Sequence, residues 1–207
     1  ILRSKQDIRS DKQYGDLDEE SNEWFYWNRL WFSEVALSDY LIQEYSPNGL
    51  FGQTILELGC GTGLAGMVCA KLGGVPTFSD KIPMAMESIK EACRLNDIST
   101  YHRQILDWSI PREDAKLFDL VLGSEIFYDS NFLEDICQLL RKILPEGGTG
   151  LFCDPGRLGL ETLESCFLEY FSVSVKELEV EWPRHPLKKR KKHSVLLYQL
   201  VKRSSFV

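Results

Sequence analysis

Apolar residues along the chain alternate between a helical period and a strand period, and glycine or proline marks most of the changeovers. The apolar positions Leu30, Val35, Leu37 and Leu41 fit a helix starting near Ser33, within an aromatic block that opens "EWFYWNRLWF". "SPNGLFGQ" reads as a turn, and Thr54–Leu58 as a strand. Leu64–Leu72 predicts a helix stopped by Gly73-Gly74, Val75–Ser79 a strand, and Lys81–Leu95 a helix with Pro83 in its first turn. Tyr101–Leu106 and Leu117–Gly123 read as strands on either side of "DWSIPREDA". Asp129 or Ser130 caps a helix that carries Phe132, Leu133, Ile136, Leu140 and Ile143 on one face. Gly150–Cys153 is the next strand and Glu161–Tyr170 the next helix. Ser172–Val180 and Ser194–Leu200 then follow as strands with no helix between them. Alternation of this kind predicts an α/β fold, a doubly wound parallel sheet. The last two strands must pair as a hairpin, so one runs antiparallel.

Composition narrows the class. The 207 residues suit one domain, and 43% apolar with 12% aromatic is enough for a core. Residues 1–22 are polar and charged and are expected to be a flexible arm, leaving 23–207 as the folded domain. A net charge of −7 speaks against a general nucleic-acid binder, and no apolar run is long enough to cross a membrane. Cys60, Cys69, Cys93, Cys137, Cys153 and Cys166 sit in apolar runs without a C-x-x-C pair, which predicts reduced thiols and an intracellular protein. A cytoplasmic monomer is expected, with an organelle or the nucleus as the other compartments left open. The chain opens at Ile1 rather than methionine and is expected to lack its natural start, so no targeting signal is judged.

The chemistry concentrates in "TILELGCGTGLAGMV", where four glycines follow a strand that carries one acid, Glu57. Gly61, Gly63 and Gly66 satisfy G-x-G-x-x-G, with Asp80 about twenty residues on, the pattern of a dinucleotide site. Three features pull away from it: the turn comes some fifty residues in, Glu57 stands two residues before Gly59, and the chain ends in a hairpin. The whole resembles the seven-strand (class I) S-adenosylmethionine-dependent methyltransferases, whose first motif reads much like E-L-G-C-G-T-G and whose Rossmann-like sheet has an antiparallel last strand. The resemblance implies S-adenosylmethionine against Gly59, Gly61 and Gly63, with the start of the following helix favouring its carboxylate. It also implies Glu57 toward the ligand's polar end and Asp80 on the ribose hydroxyls. Asp107 and Trp108 would then take the adenine, and Ser124 would border the cofactor. Plainer readings stay open: Glu57 stabilising its loop, Asp80 capping a helix, Trp108 filling core.

"GSEIFYDS" sets Glu125 and Tyr128 in an acid-x-x-aromatic pattern after the fourth strand, and "LWFSEVALSDYL" sets Trp31 six residues before Leu37. Both resemble the family-sixteen protein lysine methyltransferases. "LFCDPGRLG", with Asp154 and Arg157, resembles most the lysine methyltransferase of the electron-transfer flavoprotein β subunit and that enzyme's bacterial relatives. That resemblance implies a lysine-bearing protein substrate, with Glu125 and Tyr128 catalytic, Trp31 in the cofactor site, and Asp154 and Arg157 toward the substrate. Glu125 departs from the usual Asp by one methylene. Methyl transfer needs a neutral amine, and a lysine near pKa 10.4 is neutral about once in 2,500 molecules at pH 7, roughly 4–5 kcal/mol. Glu125 is therefore expected to orient the amine, Tyr128 to hydrogen-bond it, and Phe127 with Trp31 to desolvate it. Arg157 alternatively braces its own turn through Asp154. "KKRKK", Lys188–Lys192, is expected to be a solvated hairpin loop, with an acidic protein face or RNA as its conceivable partners. No metal-ligand spacing is seen among His102, His185 and His193. A small-molecule methyltransferase and a non-catalytic cofactor-binding module are the rival readings.

Overall fold

The computed structural model describes residues 27–110, 116–182 and 191–204; the expected arm at 1–22 and the Lys188–Arg190 part of the basic run lie outside them. The order of elements is α1 (Phe32–Tyr45), β1 (Thr54–Leu58), α2 (Leu64–Lys71), β2 (Val75–Asp80), α3 (Pro83–Leu95), β3 (His102–Ile105) and β4 (Leu120–Ser124). A single 3-10 turn, Ser130–Phe132, leads into α4 (Leu133–Ile143), followed by β5 (Thr149–Asp154), α5 (Leu160–Phe167), β6 (Phe171–Trp182) and β7 (Lys191–Lys202). Among the described residues the strands form one sheet in the order β3-β2-β1-β4-β5-β7-β6. β1 to β5 pair in parallel, and β7 lies antiparallel between β5 and β6.

Both sheet faces are covered, and the strand pleat sorts the side chains between them. Leu56, Val121 and Phe152 face α4 and α5, while Ile55, Leu120, Leu122, Leu151 and Cys153 face α1 and α2. A third cluster joins Met67 and Phe78 to Ala85, Ile89 and Cys93 of α3. All six cysteines are free thiols, five of them buried.

Element edges moved where turns claimed the backbone. The strand expected from Leu117 starts at Leu120, because Phe118 N donates to Ile143 O and Asp119 N to Thr54 O. The helix expected to reach Tyr170 stops at Phe167; Tyr170 N closes a turn on Phe167 O and its ring stacks under Arg141 at 3.6 Å. Lys191 and Lys192, expected in a loop, are strand residues opposite Trp182 and Glu181. Only Leu196–Val201 of β7 pair with β5, so the β6–β7 ribbon overhangs the carboxyl ends of the parallel strands. That edge, where β1, β2, β4 and β5 deliver their loops, is where a doubly wound sheet binds ligands.

Candidate active site

Gly59, Gly61 and Gly63 have φ of 56, 46 and 72°, left-handed values that glycine takes at little cost. Gly61 has a second reason: a Cβ there would lie 2.8 Å from the Trp27 carbonyl, which crosses over the turn. Gly66 has a purely steric one, since its Cβ would meet Phe78 at 2.5 Å and Glu57 Oε2 at 2.6 Å. The fourth glycine thus permits close packing of α2 on the strands below.

The backbone N–H groups of this loop are taken by carboxylates from three elements. Asp80 of β2 accepts from Gly61 N at 3.1 Å and also from Ile82 N at 3.0 Å. Glu57 of β1 accepts from Gly66 N at 3.0 Å. Glu34 of α1 accepts from Leu64 N at 2.6 Å and from the Thr62 hydroxyl. Leu64 N at the start of α2, the region that the resemblance gives to the ligand carboxylate, is thus already bonded to a side-chain carboxyl of this chain. Glu34 comes from a helix whose sequence gave no sign of the contact. Burial pushes the Glu34 carboxyl up to about 7, and it lifts Glu57 well above the ordinary range, with Glu34 beside it adding to the effect. Asp80 is raised by burial too, although its N–H bonds oppose the shift.

Such a donor inventory discriminates between ligands. A pyrophosphate would need the first N–H groups of α2, of which Leu64 N and Gly66 N are taken, and would face three carboxyl groups. A sulfonium or ammonium cation suits this setting and draws the buried acids toward ionisation. Each Asp80 oxygen keeps a lone pair beyond its backbone bond, so the side chain is braced and still able to accept from hydroxyls.

On the adenine side, Trp108 lies half-buried with its ring 3.5 Å from where a Gly59 Cβ would be, edge-on to Phe132 at 6.1 Å. Asp107 Oδ1 accepts from Ser109 N at 3.0 Å and Ser109 Oγ at 2.7 Å, and those bonds hold its pKa below the usual range. Trp31 is the N-cap residue of α1, under the Arg29 guanidinium at 4.5 Å. Trp27 packs on the Cys60–Phe78 cluster, and its Nε1 is buried with no hydrogen-bond partner among the described residues.

Ser124 ends β4, and Glu125 follows with φ of 55°, a conformation rare for a non-glycine residue and a mark of functional sites. The turn aims its carboxylate along the sheet edge, where Oε1 accepts from Ser33 Oγ at 2.7 Å and Oε2 pairs with the Arg157 guanidinium. Arg157 also reaches Asp154 Oδ2 at 3.2 Å, while Asp154 Oδ1 accepts from Gly156 N and Arg157 N. Glu125, Asp154 and Arg157 are thus one network, in which Arg157 bonds both carboxylates. Two expectations fare differently. Phe127 packs inward at 1% exposure against Phe152, Phe167 and Tyr198, so it lines no pocket; the left-handed turn at Glu125 points the chain back into the core. Tyr128 stands 47% exposed, edge-on to Phe132 at 5.8 Å.

The sequence profile described as "Lysine methyltransferase" matches residues 16–172. The chain belongs to this lysine methyltransferase family. S-adenosylmethionine is the family's cofactor, and the glycine loop with its carboxylates fits it. The chain is similar to "Histone-arginine methyltransferase METTL23" of Xenopus laevis, 31% identical over 56% of this chain and 50% of that one. "Protein N-lysine methyltransferase METTL21A" of Xenopus tropicalis is 33% identical over 53% and 51%. "EEF1A lysine methyltransferase 3" of Mus musculus is 34% identical over 58% and 52%. The chain spans about half the length of the curated relatives it matches. Among solved structures, N-methyltransferase NodS from Bradyrhizobium japonicum superposes with a TM-score of 0.58 at 20% identity, over 83% of this chain and 97% of that one. A SAM-dependent methyltransferase from Methanosarcina mazei gives 0.60 at 15%, over 74% and 94%. These likenesses are in the fold.

Proposed function

We propose that this lysine methyltransferase family member transfers a methyl group from S-adenosylmethionine to a lysine side chain of a protein. The observation that carries the reading is Glu125, an acid in left-handed backbone at the carboxyl edge of β4 that already holds a cation, the Arg157 guanidinium. When bound, the cofactor supplies an electrophilic methyl; the chain's residues do the holding and aligning. Asp80 takes the ribose hydroxyls, Trp108 and Asp107 flank the adenine, and Glu57, Gly59, Gly61, Gly63, Ser124 and Trp31 line the remainder. Glu125 orients the amine, and Tyr128, exposed at the rim, is its hydrogen-bond partner. Orientation is the larger task, since alignment for in-line displacement accounts for much of such a barrier. Asp154 anchors Arg157, which flanks the incoming chain. An arginine acceptor is the second reading, favoured because Glu125 accepts a guanidinium in this structure.

A monomer is supported by the outer edge strand β6, whose Lys176, Glu177, Glu179 and Glu181 discourage edge pairing. The net charge of −7 supports a protein substrate over nucleic acid, and the free thiols support a reducing, cytoplasmic setting. No helix among the described residues is long and apolar enough to cross a membrane. Incubating the protein with methyl-labelled S-adenosylmethionine and cell extract, then hydrolysing the labelled products to amino acids, tests the reading. Methyl-lysine is expected. Label only in methyl-arginine would select the second reading, and label only in small molecules would overturn both.

A further inference from the structure

Helix α1 opens with two adjacent buried polar side chains, Ser33 at 0% exposure and Glu34 at 3%. Buried polar groups are costly unless bonded, so their partners say what they are for. Successive helix residues point in directions about 100° apart, which sends the two side chains to different places. Ser33 Oγ donates to Glu125 Oε1 at 2.7 Å, across 92 positions of sequence. Glu34 Oε1 takes Leu64 N at 2.6 Å and the Thr62 hydroxyl at 3.0 Å, across 30 and 28 positions. Val35, Ala36, Leu37 and Leu41 then fix the helix against Ile55, Leu122 and Leu151.

We propose that Ser33 and Glu34 are positioning residues for methyl transfer, a single bracket that fixes the cofactor loop and the acid facing the acceptor relative to each other. The inference rests on the functional reading above. One rigid turn holds the Thr62–Leu64 end of the loop through Glu34 and holds Glu125 through Ser33. Displacement at a methyl is sensitive to misplacement of about 1 Å, so a shared anchor serves alignment better than two independent ones. Each half reports separately. Glu34 acts on cofactor affinity, whereas Ser33 acts on turnover through the direction in which Glu125 points.

The test uses the full chain. Titration calorimetry with S-adenosylmethionine and S-adenosylhomocysteine is run on the unaltered protein, Glu34→Gln, Glu34→Ala and Ser33→Ala. Labelled methyl transfer to heat-treated total cell protein is measured at saturating cofactor for the same set and Ser33→Thr. Glu34→Ala is expected to weaken cofactor binding about tenfold, and Glu34→Gln, which can still accept from Leu64 N, about threefold. Ser33→Ala is expected to keep wild-type cofactor affinity and lose about tenfold in turnover, with Ser33→Thr restoring most of it. Melting curves identify misfolded variants, for which Glu34→Gln and Ser33→Thr stand in. Variants that melt lower yet bind and turn over like the unaltered protein would overturn the inference. Absent binding by the unaltered protein would remove the functional reading and the bracket with it. Binding without transfer to cell protein would count against that reading alone, leaving the Glu34 arm standing on affinity.

Discussion

The glycine loop after β1 and the acid at the end of β4 share one sheet edge, yet different bonds hold them. At the loop, side-chain carboxylates grip backbone N–H groups: Asp80 on Gly61, Glu57 on Gly66, Glu34 on Leu64. At β4 the acid is held by side chains, the Ser33 hydroxyl and the Arg157 guanidinium, with the exposed Tyr128 ring three residues on. Backbone donors stay in place whatever the loop's side chains become, whereas a side-chain network changes partners with one substitution. The first arrangement suits a fixed cofactor and the second an acceptor that varies among relatives, which include proteins named for lysine and for arginine methylation.

Asp80→Ala should break the loop half most severely. It orphans Gly61 N and Ile82 N and removes the group assigned to the ribose, each buried loss being about 1–3 kcal/mol. Cofactor affinity is expected to fall roughly hundredfold by calorimetry. Tight binding of NADH with none of S-adenosylmethionine would contradict the comparison itself.

Gly66→Ala tests the packing beneath the loop. Alanine adds about 1 kcal/mol of helix propensity, but its Cβ would press on Phe78 and Glu57 at 2.5 and 2.6 Å, and overpacking costs roughly 1–3 kcal/mol or more. Phe78 is fully buried and has nowhere to move, so a net loss of about 2 kcal/mol is expected, roughly 5 °C in Tm. A rise in Tm would mean that the helix sits further from β2.

Glu125→Gln keeps size and removes charge at the acceptor half. Turnover should drop about tenfold at unchanged cofactor affinity, because only the acceptor loses its guide. Equal loss of both would show that the halves are not separable.

The buried acids also give stability a pH dependence. Glu34 rises from an ordinary 4.5 to about 7 on folding, so the native state keeps a proton that the unfolded chain has released. Its contribution is fully present below about 4.5 and is lost as pH rises through about 7; Glu57, Asp80 and Asp154 are shifted in the same direction. Tm without cofactor should therefore decline across this window, less steeply in Glu34→Gln. A Tm that climbs throughout would sink the assignment.

Arg157→Lys is the finest probe. Lysine cannot span Asp154 and Glu125 as the forked guanidinium does, but the Arg157 side chain itself is 38% exposed and an ammonium there keeps the charge, so effects are modest. KM for the protein substrate should rise about threefold with Tm nearly unchanged. A lower Tm with unaltered KM leaves Arg157 as a brace only.

Periodicity made the element order legible because each strand and helix shows its buried face locally. Thr54–Leu58 matched residue for residue, and the single antiparallel strand followed from the missing crossover helix. The glycine spacing, Asp80 and Glu125 were legible because backbone shape and strand ends fix their positions. Phe127 was misplaced, since its direction depends on the left-handed turn at Glu125 rather than on its own neighbours.

Sequence alone determined the fold and the sheet edge that carries the glycine turn, Asp80 and Glu125, since those depend on short-range pattern and on chirality. Only the tertiary structure decided that Glu34 fills the start of α2, that Ser33 holds Glu125 and that Arg157 ties Asp154 to it. A carboxylate or hydroxyl accepts many partners of equal chemistry. Which one it meets across 30 or 92 residues is settled by how the helix seats its apolar face on the sheet, and a linear sequence does not display that.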